Sequence, residues 1–459
     1  GEIVAKGTPE KIMKDKNSVL SPNVIWIFGD QHRAQALSVM EDPNVQTPNI
    51  DRLAVSSRTG IAGSPLCSPF RGSLLTSQYP HRCIPGHDIA LPNGMPTVAT
   101  AFSHSGYQTA YIGKWHVDGA VHRLSDTRPA FQYVDPSRRG DFDYWLGYEN
   151  NNNQYDCWVH GHYENGTPID SYKLHGYETD ALTDLLIEYL GTRSLDQPFF
   201  VALSVQPPHS PYIAPPKFME RHRSEAIQLR PNVPSVDRVQ QQARHSLAGY
   251  YAMIENLDWN VGRILQTLGN TGLADQTILV FFSDHGDMHG SQARILKCVP
   301  WEESIRIPFL VCGSGIDTGL DDYPELINHV DIAPTTLGLC GIDAPESMVG
   351  VDYSGYFASD RQKPINPPDS AFLQLVDPGW IYGFASDRER PWRGVVTNDG
   401  WKYVVLEGQP WLMYNLNDDP YELANLALDG RFKQERQNLQ DKLMDWITRT
   451  GDMFKLPEI

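Results

Sequence analysis

Val24-Ile-Trp-Ile-Phe28 is an unbroken apolar run that passes directly into Gly29-Asp30-Gln31-His32. Three other runs end in the same way. Thr109-Ala-Tyr-Ile112 leads into Gly113-Lys114-Trp115-His116, and Phe199 to Val205 leads into Gln206-Pro-Pro-His209. Ile278 to Phe282 leads into Ser283-Asp284-His285-Gly286-Asp287. Short apolar runs without alternation suit strands covered on both faces, the condition of a parallel sheet between two helix layers. Helical periodicity fills the intervals. Between Leu247 and Leu268, residues Tyr250, Ile254, Leu257, Val261 and Leu265 fall on one stripe. This alternation predicts an α/β fold with a large, doubly wound, mostly parallel sheet flanked by helices. Ligands in that architecture gather beyond the carboxyl ends of the strands. Here four strands deliver Asp, Gln, Lys or His to that edge.

The texture changes after residue 340. Residues 341–392 are rich in Pro, Asp and Ser and are expected to connect two parts of the chain. Gly394-Val-Val-Thr397 and Lys402-Tyr-Val-Val-Leu406 then read as strands split by the turn Asn398-Asp399-Gly400. A helix follows, with Leu439, Leu443, Trp446 and Ile447 on one face and Gly451 as its stop. The expected organisation is a catalytic domain over 1–355 and a smaller C-terminal domain over 356–459, an antiparallel sheet with a helix.

Composition narrows the function. The 459 residues are 41% hydrophobic and 20% charged, as in an ordinary soluble globular enzyme. The apolar runs fall far short of the roughly 20 residues of a membrane helix, so no membrane partner is expected. A net charge of −18 has the wrong sign for a general nucleic-acid binder, which needs clustered Lys and Arg. The six cysteines, 67, 83, 157, 298, 312 and 340, form no C-x-x-C pair and are too sparse for a disulfide framework. No charged-then-apolar leader opens the chain, yet residue 1 is Gly, which leaves a removed leader open. A periplasmic or secreted location is expected ahead of a cytoplasmic one.

Cys67-Ser-Pro-Phe-Arg71, followed by Gly72-Ser-Leu-Leu-Thr76, resembles the signature C-x-P-x-R-x-x-x-L-T of the formylglycine-dependent sulfatases, within the alkaline phosphatase superfamily. The resemblance extends over most of the chain. It takes in Asp30-Gln31, Thr47-Pro-Asn-Ile-Asp-Arg-Leu53, Gly113-Lys-Trp-His116, Pro208-His209 and Ser283-Asp-His-Gly-Asp287. Lys297, Arg306-Ile-Pro308, His329-Val-Asp-Ile-Ala-Pro334 and Tyr414-Asn-Leu-Asn-Asp-Asp-Pro420 continue it. It implies a sulfuric ester hydrolase whose nucleophile is formylglycine, made from Cys67 by a maturation enzyme. By the same resemblance, Asp284 accepts the proton of the attacking hydroxyl and Arg71 holds the formylglycine hydrate. Lys114 and Lys297 clamp the sulfate, His209 protonates the leaving alcohol, and His116 deprotonates the second hydroxyl.

Elementary chemistry reaches the same residues from the substrate side. A sulfate ester is a compact anion, and Arg71, Lys114, His116, His209 and Lys297 bring positive charge or donors to it from separate segments. Residues 69–76 read as a helix start with Pro69 in its first turn, which aims amide donors at position 67. Asp30, Gln31, Asp284 and His285 form a second cluster of three oxygen donors and one imidazole, suited to a hard divalent cation. The usual sulfatase pattern has Asp in place of Gln31 and Asn in place of His285. One fewer carboxylate and one more imidazole make the site more tolerant of softer metals; calcium is expected first, magnesium or manganese next.

Residues 117–177 carry His122, Arg123, Arg138, Arg139, His160 and His162 among Tyr144, Trp145, Tyr148, Tyr155, Trp158 and Tyr163. This segment reads as a solvated excursion with its own aromatic core, or as a substrate wall, because aromatic faces and cations suit an anionic sugar. Arg33, Trp158, His160 and His162 are the candidate substrate-binding residues, and a sulfated sugar or oligosaccharide is the expected substrate. Trp380, Tyr382, Trp392 and Trp411 add aromatic surface in the C-terminal part. Two other functions compete. A phosphonate monoester or phosphodiester hydrolase of the same superfamily can share the C-x-P-x-R loop, but Lys114, His116 and Lys297 argue against it. A non-catalytic sulfated-glycan binder would leave Cys67 unmodified and would have no use for a full set of acid, base and clamp residues.

Overall fold

The computed structural model describes residues 21–54, 59–119, 129–318, 326–378 and 390–459. His122, Arg123, Trp380 and Tyr382 lie outside the described residues.

The four apolar runs form the centre of a nine-stranded sheet. Its strands are β1 (Asn23–Gly29), β2 (Thr59–Ile61), β3 (Gln108–Lys114), β4 (Tyr144–Tyr148), β5 (Trp158–His162), β6 (Pro168–Lys173), β7 (Phe199–Ser204), β8 (Thr277–Ser283) and β9 (Arg306–Gly313). Their order is β2-β9-β8-β1-β7-β3-β4-β5-β6. The five strands from β8 to β4 are parallel, while β9 and β5 join antiparallel at the two sides. Alternate residues of β1 face opposite layers. Trp26 and Phe28 pack with Phe70 and Leu74 of the helix Cys67–Thr76 and with Leu337 of the helix Ile332–Leu339. Ile25 and Ile27 pack with Leu182 and Leu186 of the helix Glu178–Gly191, and with Leu257 and Val261 of the helix Asp237–Thr271. A one-residue slip of β1 would exchange these two sets, and each buried side chain of this size is worth about 1.5–3 kcal/mol. The register is therefore fixed by packing, and with it the residues that follow each strand.

The helix Asp237–Thr271 is longer than its apolar stripe, and Leu265 is only partly buried while Ile264 is fully buried. The stripe drifts around a straight helix because its steps of four, three, four and four residues run longer on average than the 3.6 of one turn. Residues 117–177 supply β4, β5 and β6, which widen the main sheet instead of forming a separate excursion. Gly161 is what lets β5 approach β4, since a Cβ there would lie 1.9 Å from the Trp145 carbonyl oxygen.

The second sheet has the order β10-β11-β12-β13, all antiparallel: β10 (Ser370–Leu375), β11 (Trp392–Thr397), β12 (Trp401–Leu406) and β13 (Gln409–Asn415). β10 is wholly buried, so the stretch 341–392 is more than a connection. The helix Lys433–Thr450 covers this sheet through Leu439, Leu443, Trp446 and Ile447 and ends at Gly451 with φ 69°.

Candidate active site

The carboxyl ends of β1, β8, β7 and β3 meet at one place. Asp30 and Gln31 follow β1, Asp284 and His285 follow β8, Lys114 ends β3, and all are buried. Cys67 opens the helix Cys67–Thr76, and its N-cap, Leu66, gives no side-chain bond to the first turn. The positive end of the helix dipole therefore sits at residue 67. Arg71, one turn further on, ties the segments together. Its Nε donates to Asp284 Oδ2 at 3.2 Å, and its Nη1 donates to the Lys114 carbonyl at 2.9 Å and to Ser204 Oγ at 2.8 Å. Gln31 (φ 74°), His116 (56°) and Cys298 (72°) are among the residues here that adopt positive φ without being glycine. Such backbone persists only where the surroundings over-determine it.

Cys67 Sγ is 3.2 Å from Lys297 Nζ, 3.2 Å from His285 Nε2 and 3.6 Å from Asp30 Oδ1. Lys297 also donates to Gln31 Oε1 at 2.8 Å. Asp30 faces Lys114 Nζ at 2.5 Å, Arg71 Nη2 at 3.6 Å and Lys297 Nζ at 3.9 Å. Burial alone would raise the Asp30 carboxyl, but Lys114, His209, Lys297 and His285 together hold it well below its ordinary range. Burial, with Asp30, pushes the Cys67 thiol up to about 11. Burial and the neighbouring Lys114 depress His116, and burial and Lys297 depress His209, so both imidazoles are neutral near pH 7. Nδ1 of His209 lies 2.6 Å from the Ser210 carbonyl, which only accepts, so that nitrogen carries the proton.

The donor set tests whether a cation fits. His285 Nδ1 donates to the Gly286 carbonyl at 3.0 Å, leaving a lone pair on Nε2. That lone pair faces Asp30 Oδ1 and Asp284 Oδ1, each at 3.5 Å. Burial keeps the imidazole neutral, so three acceptors converge in a space closed to solvent. Converging buried acceptors are costly unless a cation lies among them. Asp30, Cys67, Asp284 and His285 have ligand atoms all within 4.8 Å of one another, and Gln31 Oε1 accepts from Lys297, which also approaches Cys67 and Asp30. The residues present fit a divalent ion.

Further side chains, not named as site residues from the sequence, shape the site. Asp287 accepts from Gln31 Nε2 at 2.6 Å and from Tyr212 OH at 2.5 Å, which orients the Gln31 amide with its oxygen toward Lys297. Ser204 fixes Arg71. Glu178 lies beneath the site, accepting from Gln206 N at 2.9 Å and from the Tyr148 hydroxyl. Asp287 belongs to the quoted stretch 283–287 and was the one within reach; Ser204 and Glu178 become neighbours only through the sheet order.

The four candidate substrate residues are more dispersed. Arg33 is buried under the helix Asp237–Thr271, donating to Tyr251 OH at 3.1 Å. Lys114 pairs with Tyr148 and Gly147 pairs with His160, so Trp158 lies at the same sheet edge as Lys114 and His162 lies further back. His160 accepts from Val134 N at 2.9 Å and stacks under Tyr133. Arg139 Nη1 and His162 Nδ1 are 2.6 Å apart, and His162 Nε2 donates to the Phe142 carbonyl at 3.1 Å. Phe131 packs edge-on to Trp158, and Phe131 and Tyr133 are exposed.

Residues 22–342 match the sulfatase family, and residues 294–449 match the C-terminal region of N-sulphoglucosamine sulphohydrolase. The chain is 33% identical to an ulvan-active sulfatase from Formosa agariphila, over 97% of this chain and 84% of that protein. It is 29% identical to an endo-4-O-sulfatase from Bacteroides thetaiotaomicron, over 89% of this chain and 88% of the other. A solved structure from a study of glycosaminoglycan metabolism by Bacteroides thetaiotaomicron superposes with a TM-score of 0.81 at 26% identity. It covers 94% of this chain and 97% of its own. The converging strand ends, the buried Cys67 and these likenesses agree: the chain belongs to the sulfatase family and is a sulfuric ester hydrolase.

Proposed function

We propose that Cys67 is converted to formylglycine by a maturation enzyme, and that the mature protein removes sulfate from a sulfated carbohydrate. Asp30, Gln31, Asp284 and His285 hold the divalent cation, calcium before magnesium or manganese. The observation that carries this reading is the setting of Cys67, with its Sγ 3.2 Å from both Lys297 Nζ and His285 Nε2 at a helix N-terminus. A thiol pushed up to about 11 is protonated near pH 7 and a poor nucleophile, so the position makes chemical sense once oxidised. Formylglycine supplies a hydrated aldehyde with one hydroxyl to attack sulfur and a second whose deprotonation releases sulfate, and the cation supplies charge stabilisation.

The chain's own groups do the rest. Lys114 and Lys297 hold the sulfuryl oxygens where charge develops, as preorganised donors. Asp284, braced by Arg71, takes the proton of the attacking hydroxyl. His116 is neutral and so ready to act as the base that opens the second half of turnover. His209 is neutral in the free enzyme because burial and Lys297 depress it. The incoming sulfate offsets the lysine charge, which raises His209 toward the protonated state that a leaving alcohol needs.

A sugar substrate is supported by the aromatic patch of exposed Phe131 and Tyr133 with half-buried Trp158 on the edge shared with Lys114. The ulvan-active relative points the same way. His160, His162 and Arg139 back this patch. Labelling with an aldehyde probe tests the reading. The peptide around residue 67 of matured protein should react, and Cys67→Ala should be inactive. Full activity in Cys67→Ala would falsify the mechanism.

A further inference from the structure

A second group of metal-ligating side chains stands beside the sulfate clamp. His87, Asp88 and His116 each present one ligand atom, and these atoms lie within 4.8 Å of one another. His87 Nε2 is 3.5 Å and His116 Nε2 is 3.8 Å from Asp88 Oδ1. The two imidazole rings stand edge to face, at 89° with centroids 4.7 Å apart. Three ligands on a tetrahedral zinc ion, each at about 2.1 Å, lie roughly 3.4 Å apart, so small side-chain rotations close this group on a metal. His116 is buried, whereas the His87 and Asp88 side chains are 16% and 26% exposed, which leaves an entry path.

We propose that His87, Asp88 and His116 form a second metal site, selective for a borderline-soft divalent ion such as Zn2+, whose occupation inhibits the enzyme. Two imidazoles and one carboxylate match zinc better than calcium, which prefers oxygen ligands. A metal on His116 takes the lone pair the imidazole needs as a base. The inhibition therefore rests on the role of His116 proposed above, whereas the binding does not.

The two parts are tested separately. Binding is measured on calcium-saturated Cys67→Ser protein, where no thiol competes, by titration with Zn2+ and by the visible absorption of Co2+. One equivalent should bind, and His87→Ala and Asp88→Asn should each weaken it more than about tenfold, at or beyond the scale of outer-shell losses. Unchanged zinc affinity in both variants overturns the site. Inhibition is measured on matured enzyme, where Zn2+ should suppress sulfate release and His87→Ala should raise the half-inhibiting concentration by the factor seen in binding. Binding lost in both variants together with equal zinc inhibition of His87→Ala and the native enzyme retains the metal site and overturns its inhibitory role. Lys297→Ala, impaired in turnover if the proposed mechanism holds, should bind zinc as the native chain does.

Discussion

The indole Nε1 of Trp392, at the start of β11 in the small sheet, donates to the main-chain carbonyl of Cys298 at 3.2 Å. Cys298 follows Lys297, holds φ 72°, and donates its own N–H to the Pro65 carbonyl at 3.1 Å, two residues before Cys67. Lys402, in β12, donates to the Pro300 carbonyl at 3.0 Å and pairs with Glu302 and Glu422, each at 2.7 Å. The small sheet therefore grips the loop that carries Lys297 and links it to the nucleophile loop. Trp392→Phe removes one bond of that grip, a cost to stability of about 1 kcal/mol. The expected result is a larger effect on kcat than on unfolding, with sulfate binding weakened in parallel. A loss confined to thermal stability would mean that the grip does not reach Lys297.

Lys402→Met should behave oppositely. It leaves the buried Glu302 and Glu422 without their shared cation, and breaking a buried ion pair costs roughly 3–5 kcal/mol. Arg306 still holds Glu302 at 2.9 Å, so the lower end of that range is expected. Denaturant unfolding measures it, and a change within the scatter of surface substitutions refutes the ionic account.

Lys114→Ala and Lys297→Ala should each lower kcat by 10²–10³, about 2.7–4 kcal/mol, the scale of one oxyanion donor. Both also strip a cation from buried Asp30, so the acid limb of the pH–rate profile should move upward. Sulfate esters should remain preferred over phosphodiesters in the native enzyme. Faster phosphodiester cleavage would favour the phosphonate-hydrolase reading.

Much of this site was legible from the residues alone. Asp30, Lys114 and Asp284 each sit just where an apolar run stops, and the sheet brings those ends together. What was not legible depends on contacts between distant strands. β10 hides in a Pro- and Asp-rich stretch because its burial comes from pairing with β11 and from the helix behind it. β4 and β5 hide because an edge region draws its apolar neighbours from a sheet already built. The inward turn of Arg33 and the supporting roles of Ser204 and Glu178 have the same cause. Each is defined by its neighbours across the fold, which no local pattern records.

Glu178 gives a prediction about stability and pH. Burial raises its carboxyl to about 7, against bonds from Tyr148 and Gln206 that oppose the rise. A carboxyl raised on folding holds its proton in the native state while the unfolded chain has already lost it. Stability from this group is complete below the unfolded value near 4.5 and declines as pH rises through about 7. The loss is of order 3 kcal/mol. Glu178→Gln keeps an oxygen for Tyr148 and Gln206 and cannot ionise, so it should flatten the stability curve between those limits. Parallel curves for the variant and the native protein, from denaturant unfolding at several pH values, would rule this out.

The substrate prediction exposes the proposed function to its hardest test. Phe131, Tyr133 and Trp158 form an aromatic face on the edge that also carries Lys114, and Arg139 lies over the Tyr133 ring at 5.4 Å. An aryl or alkyl sulfate fills the clamp and needs little else, whereas a sugar chain gains from stacking surface beside it. Sulfated oligosaccharides should therefore be turned over with a higher kcat/KM than simple esters, and Trp158→Ala should lower that value for the sugars alone. His160→Ala removes the support under Tyr133 and the acceptor for Val134 N, so its effect should follow the same substrates but include a loss of stability. If simple esters are the better substrates and Trp158→Ala changes nothing, the aromatic edge is scaffold for β5 and the sugar assignment fails, while the sulfate chemistry stands.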